Sequence, residues 1–145
     1  MMSKSTTRNV YVAIVDDDES LCRSMGRLLR AANFQAIGYS SAEAFLDDQR
    51  HPQFDCLLLD VQLGGISGIE LNQQLAAAGS TTPVIFITAH DEPEIRKQAL
   101  ASGCAGYFRK IDPGTEVIDC VRRAIANSQA GATDPLHAEA RQTKS

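Results

Sequence analysis

Short apolar runs and helical patterns take turns along this chain, and that alternation narrows its fold more than any other feature. VYVAIV (10–15) is a β-branched run of the kind that forms a strand buried on both faces. A helix is expected from about Glu19 to Ala31, because Leu21, Met25, Leu28 and Leu29 repeat at helical spacing, with Asp18 as N-cap. A short second strand lies near Phe34 to Ile37. Ser40 and Glu43 have capping-box spacing ahead of a second helix that begins its apolar side at Ala44 and Phe45. FDCLLLD (54–60) reads as strand three. VQLGGISG then leads into a helix over Ile69 to Ala78, stopped by Gly79. Pro83 opens strand four, PVIFIT. Asp91 is placed to cap a helix with Pro93 in its first turn, ended by Gly103. AGYFRK supplies a small fifth strand, and Gly114 to Ala126 a last helix. Five such units imply an open parallel sheet with helices on both faces. Right-handed crossovers leave few topologies, of which strand order 2-1-3-4-5 is the simplest.

The bulk properties fit one globular domain. The 145 residues are enough to bury a core. A net charge of −4 argues against a nucleic-acid-binding surface. No apolar run approaches the roughly 20 residues that span a bilayer, and the polar start MMSKSTTRN is no signal peptide, so a cytoplasmic protein without membrane contact is expected. Cys22, Cys56, Cys104 and Cys120 form no C-x-x-C pair and read as free buried or half-buried thiols. The polar stretch 127–145 reads as a tail or linker, and residues 1–8 as a flexible lead into a single domain over 9–126.

Ligands in such sheets gather outside the carboxyl ends of the strands, where the strand order reverses. The residues found there are Asp16 and Asp17 after strand one, Asp60 after strand three, Thr88 after strand four and Lys110 after strand five. Strands one and three would be neighbours, so three carboxylates crowd one crevice. Two of them roughly 4 Å apart repel by about 4 kcal/mol at an effective dielectric constant near 20. Three either raise a pKa or recruit a cation, and oxygen-only ligands with open positions suit Mg²⁺. Lys110 and Thr88 across the crevice complete a phosphoryl-binding arrangement. With no Ser–His or Cys–His pair in the motifs, the acceptor is expected to be a carboxylate. Side chains alternate along a strand, so Asp16 and Asp17 both reach the crevice only if the chain flares after strand one.

With these five residues in this order, the chain resembles the receiver domains of bacterial two-component response regulators over roughly residues 9–126. IVDDDES and SAEAFL are most similar to receivers that precede LuxR-type helix-turn-helix domains, those of nitrogen-fixation regulators included. The resemblance implies a flavodoxin-like (βα)5 fold with strand order 2-1-3-4-5. It implies that Asp60 accepts a phosphoryl group from a phosphohistidine on a sensor histidine kinase or histidine phosphotransfer protein. Asp17, Asp60 and the backbone carbonyl of Gln62 would ligate Mg²⁺, with Asp16 holding the ion mainly through water. Thr88 and Lys110 would contact the phosphoryl oxygens. Tyr107 matches an aromatic that swings inward as Thr88 moves, and Gln62 and His90 match positions that tune the phosphoryl lifetime. The output is a switched contact with a downstream protein, which includes a second copy of the chain as a candidate.

Two stretches depart from that pattern. Leu63-Gly64 stands where many receivers read Met-Pro, so a more flexible loop is expected. Lys110-Ile111 replaces Lys-Pro, whose peptide is cis in the family. Before isoleucine a cis bond costs about 3 kcal/mol, so either packing carries that cost or Lys110 is held differently.

Other readings of the motifs are weaker. An EF-hand fails because Leu21 stands where its sixth-position glycine belongs. GGISG lacks the glycines of a dinucleotide loop at Ile66 and Ile69. Haloacid-type phosphatases need an acid where Gln62 stands. Three rivals stand beside the phosphorylated switch. One is a fragment of a DNA-binding regulator. Another is a receiver-shaped interaction module that works without phosphorylation. The last is a small-molecule hydrolase, for which no pocket motif is visible. The expected chemistry is confined to the chain's own phosphorylation and dephosphorylation, so no other enzyme activity is expected.

Overall fold

A computed structural model of the protein describes residues 9–133. The elements alternate as β1 (Tyr11–Val15), α1 (Glu19–Ala31), β2 (Gln35–Tyr39), α2 (Ala42–Asp47), β3 (Cys56–Asp60), α3 (Gly68–Ala77), β4 (Val84–Thr88), α4 (Pro93–Ala101), β5 (Gly106–Arg109) and α5 (Gly114–Thr133). All strands are parallel, in the order β2-β1-β3-β4-β5, the flavodoxin-like arrangement expected from the sequence.

Strand pleat divides the core. Val12, Ile14, Leu58, Ile85 and Ile87 face Met25 and Leu29 of α1 and Val117, Ile118 and Val121 of α5. The alternate residues Ala13, Val15, Leu57, Leu59 and Phe86 face Phe45 of α2, Ile69 and Leu71 of α3 and Ala99 of α4. Every residue of β3 and β4 is buried, which is why these strands read as unbroken apolar runs rather than as alternation. Burying an aliphatic side chain contributes about 2 kcal/mol, so this double-sided core is the main source of stability.

Several local expectations are corrected. The α2 cap is Ser41, which accepts from the Ala44 N–H, and not Ser40; Glu43 then falls one position too early to close a capping box. A reciprocal box exists instead at α3, between Ser67 and Glu70. Asp91 does not cap α4. Glu92 holds that position without a side-chain bond, and Asp91 accepts from Tyr107 instead. Helix α5 continues past Ala126 to Thr133, where apolar periodicity has faded and the sequence carries no helical signal. Residues 1–8 and 134–145, His137 among them, lie outside the described residues. No cis peptide bond occurs among the described residues, so Lys110–Ile111 is trans. No described helix is long and apolar enough to cross a membrane.

Candidate functional site

Strand register brings the acids together. Val15 pairs with Leu59, so the residues that follow, Asp16 and Asp60, emerge at the same level of adjacent strands. Asp60 pairs with Ile87 of β4, which sets Thr88 one residue further out, beside Arg109 and then Lys110. This rim, between β1 and β3, is where the strand order reverses.

Strand β1 ends at Val15, and the chain flares as alternation requires. The Asp16 N–H still donates to the Tyr39 carbonyl at 2.9 Å, while its Oδ1 turns back to accept from the Asp18 N–H at 2.8 Å. Asp16 is thereby 1% exposed, whereas Asp17 stands open to solvent. One oxygen from each of Asp16, Asp17 and Asp60 lies within 4.8 Å of the others. The Asp60 carboxylate is fixed on both sides: Oδ1 accepts from the Gln62 N–H at 3.1 Å, and Oδ2 lies 3.4 Å from the Lys110 ammonium.

Lys110 reaches the site through a trans peptide. Its N–H donates to the Thr88 carbonyl at 2.8 Å, anchoring the chain past β5. Its Nζ then lies 3.1 Å from both oxygens of Asp16 and 3.9 Å from Asp18. Only Oδ1 of Asp16 is aligned to accept from it; Oδ2 is buried and accepts no hydrogen bond among the described residues. Burial pushes the Asp16 carboxyl up to about 6; the Asp18 N–H opposes the rise, the Asp60 charge adds to it, and Lys110 opposes it. Burial disfavours the Lys110 ammonium, but hydrogen bonds and charge from Asp16 and Asp60 outweigh it and raise the pKa above the ordinary lysine value.

The donors fit a small hard cation. All are oxygens, one is buried with unused capacity, and three carboxylates against one ammonium leave two negative charges. Asp18, read from the sequence only as a cap, adds to that field as well as accepting from the Leu21 N–H. The adjacency of four acids was its only signal.

The opposite rim is satisfied by its own neighbours. Thr88 is fully buried; its hydroxyl donates to the His90 carbonyl at 3.0 Å and accepts from the His90 N–H at 3.1 Å. Tyr107 is half-buried; its hydroxyl donates to Asp91 at 3.1 Å, and the Arg96 guanidinium lies over its ring at 5.3 Å. Burial, then Asp91, raises the Tyr107 pKa to about 12. Gln62 and His90 have exposed side chains. All four cysteines are free; burial raises each thiol pKa, so none is primed as a nucleophile.

Two of the loop glycines serve close contact rather than left-handed backbone. A Cβ at Gly68 would collide with the Asp60 carbonyl oxygen, so α3 starts directly against the acceptor's backbone. A Cβ at Gly65 would collide with the Glu43 carboxylate. Positive φ occurs instead at Gly79 and Gly103, the stops of α3 and α4.

Comparison with known proteins agrees with this geometry. The response regulator receiver domain model matches residues 12–122. The response regulator protein TodT of Pseudomonas putida is 30% identical over 118 residues, covering 81% of this chain and 52% of TodT. The transcriptional regulatory protein FixJ of Azorhizobium caulinodans is 32% identical over 117 residues, covering 81% of this chain and 56% of FixJ. The chain thus spans about half the length of these relatives. The crystal structure of a response regulator receiver protein from Burkholderia phymatum superposes with a TM-score of 0.71 at 40% identity, covering 81% of this chain and 96% of that one. A parallel sheet in this order, an acid cluster at its switch point and a family match along most of the chain converge: the protein belongs to the response regulator receiver domain family.

Proposed function

We propose that Asp60 is the phosphoacceptor, that the site works with Mg²⁺, and that the donor is a phosphohistidine on a sensor histidine kinase or histidine phosphotransfer protein. The observation that carries the reading is the buried Asp60 carboxylate, fixed by the Gln62 N–H and Lys110 within reach of two further acids. An Asp60 oxygen attacks phosphorus in line, the N–P bond breaks, and the imidazole leaves with the electron pair and takes up a proton. Lys110 stays beside the acceptor as counter-charge to the phosphoryl oxygens. Asp16, Asp17, Asp60 and the Gln62 carbonyl hold the ion, which, when bound, offsets charge building on those oxygens. Reset is hydrolysis: water attacks phosphorus, the bond to the Asp60 oxygen breaks, and phosphate leaves. Gln62 and His90 border this step. No substrate beyond the protein itself is turned over.

The signal is read through motion on the other rim. Thr88 exchanges its bonds to His90 for a phosphoryl oxygen, and Tyr107 leaves Asp91 to turn inward, biasing an existing equilibrium toward a surface that binds a downstream protein or a second copy of the chain. The receiver unit extends from residue 9 through the end of α5 at Thr133 and works in the cytoplasm. A second reading, the receiver of a DNA-binding regulator, is favoured because the chain covers about half of a relative named as a transcriptional regulatory protein; the gene sequence past Ser145 tests it.

Intact-mass measurement with acetyl phosphate and Mg²⁺ tests the central claim. The wild type gains one phosphoryl group and Asp60→Asn gains none. Equal incorporation by the variant removes Asp60 as acceptor; no incorporation by the wild type favours a module that works without phosphorylation.

A further inference from the structure

The segment after β3 carries the groups that meet both the ion and the phosphoryl group, yet its middle is poorly tied. At one end the Gln62 N–H donates to Asp60 at 3.1 Å. At the other, the Gly68 N–H donates to the Val61 carbonyl at 3.0 Å and the Ser67–Glu70 box fixes the start of α3. Between them stand Leu63, Gly64, Gly65 and Ile66. Leu63 and Ile66 rest against the core, a contact that sets depth but not register. A Cβ at Gly64 would touch nothing within 4 Å, so no packing constrains that residue.

One hydrogen bond reaches residues 63–66 among the described residues. Glu43, exposed in the first turn of α2, lies 23 residues away in sequence. Its Oε2 accepts from the Ile66 N–H at 3.2 Å. The same carboxylate lies flat on Gly65, where a Cβ would collide with Oε2 and stand 2.9 Å from Oε1. A carboxylate accepting a backbone N–H is a charge-assisted bond, stronger than a neutral one. The N-cap at Ser41, rather than Ser40, directs Glu43 to this loop instead of to its own helix end.

We infer that Glu43 is a positioning residue for the phosphorylation site: it holds the Gly64–Gly65 segment in register, and through it the Gln62 backbone beside Asp60. The inference rests on the reading of Asp60 as acceptor and deepens it. Glu43 touches neither the ion nor the phosphoryl group and acts through the loop alone. Gly65 is the other half of the device, because only a residue without Cβ leaves room for the carboxylate.

Three variants of the whole chain test it: Glu43→Ala, Glu43→Gln and Gly65→Ala. The first readout is amide hydrogen exchange in metal-free protein. Ile66 exchange speeds up about fivefold or more in Glu43→Ala, the change that losing one net hydrogen bond produces. Glu43→Gln, which keeps an acceptor oxygen, restores most of the protection. Gly65→Ala displaces the carboxylate and matches Glu43→Ala; added to Glu43→Ala it has little further effect, since its clash partner is gone. The second readout is the Mg²⁺ affinity and the acetyl phosphate rate, both weakened by about fivefold in Glu43→Ala and largely restored in Glu43→Gln. A merely structural Glu43 would lower the metal-free urea midpoint and leave Mg²⁺ affinity and rate unchanged. Unchanged Ile66 exchange, or unchanged Mg²⁺ affinity and rate in a wild type that does accept the phosphoryl group, overturns the role of Glu43 and leaves Asp60 standing. A wild type that takes up no phosphoryl group overturns the acceptor assignment, while the exchange readout still decides whether Glu43 holds the loop.

Discussion

The two rims of the crevice are built on opposite principles. On the β1/β3 rim, Asp16 and Asp60 are buried acids fixed by backbone N–H groups, and together with Asp17 they carry more negative charge than Lys110 offsets. On the β4/β5 rim, the Thr88 and Tyr107 hydroxyls are satisfied by neighbours, His90 and Asp91, and the outer contacts are exposed. The first rim is electrostatically unsatisfied, which suits it to capture a cation. The second is satisfied by its own neighbours, and the proposed switch exchanges those bonds. The proposed binding and switching thus call on opposite properties of adjacent strands in one sheet.

The largest effect on this contrast comes from the acid rim. Asp16 has an ordinary pKa of 3.8 and a folded value of about 6, so the folded state binds its proton more tightly. Its contribution to stability is therefore full below the unfolded value and is lost as pH rises through the folded one. The Lys110 pKa is raised, so its contribution persists up to the alkaline range and adds no slope here. Metal-free protein should lose about 2 to 3 kcal/mol between pH 3.8 and pH 7 from this group alone. Urea unfolding of wild type against Asp16→Asn isolates it: the variant loses that part of the slope. Equal slopes would mean that the acid rim carries no such frustration.

Mg²⁺ should remove the same frustration by binding the ionised form. Affinity is then flat above about pH 6 and falls below it by up to tenfold per pH unit, as proton and ion compete for Asp16. A saturating ion at about one hundred times its dissociation constant adds about 2.7 kcal/mol to stability. Titration at pH 5 and pH 7.5 checks both. An affinity that ignores pH would take Asp16 out of the ion's field.

How far the sequence reveals this molecule follows from the range of each interaction. The strands are legible because β1, β3 and β4 are buried on both faces, and solvent exclusion selects β-branched and aliphatic residues one by one. Asp16, Asp17, Asp60 and Lys110 are legible because strand ends define a rim and topology then brings them together. What is not legible depends on a side chain's choice between near-equal partners. Ser40 and Ser41 offer the same chemistry one residue apart, and chain direction decides for Ser41. Asp91 is as good a cap as an acceptor for Tyr107, and only the β4–β5 register decides. The Ser67–Glu70 box was present as a spacing but lay hidden within a glycine-rich turn. Glu43 signalled only a cap, because its actual partner is a backbone N–H 23 residues away.

The smallest effect lies on the β4/β5 rim. Arg96 lies 3.2 Å from Asp91 and over the Tyr107 ring, so one side chain braces both partners of the Tyr107 hydroxyl bond. The pair is exposed, Arg96 about half and Asp91 one quarter, so solvent screens it. Arg96→Ala should therefore cost only about 0.5 kcal/mol of stability. Its effect on switching has the opposite sign. Removing a contact that exists only with Tyr107 outward lowers the free energy of turning inward by the same amount, which raises the inward population about twofold. Because beryllofluoride mimics the phosphoryl group, its affinity in the presence of Mg²⁺ should rise by that factor when the inward state is a minority. Circular dichroism melting beside a beryllofluoride titration separates the two. A variant that is less stable with unchanged affinity would show that Arg96 braces both states alike, and the Tyr107–Asp91 contact would then take no part in the proposed switch.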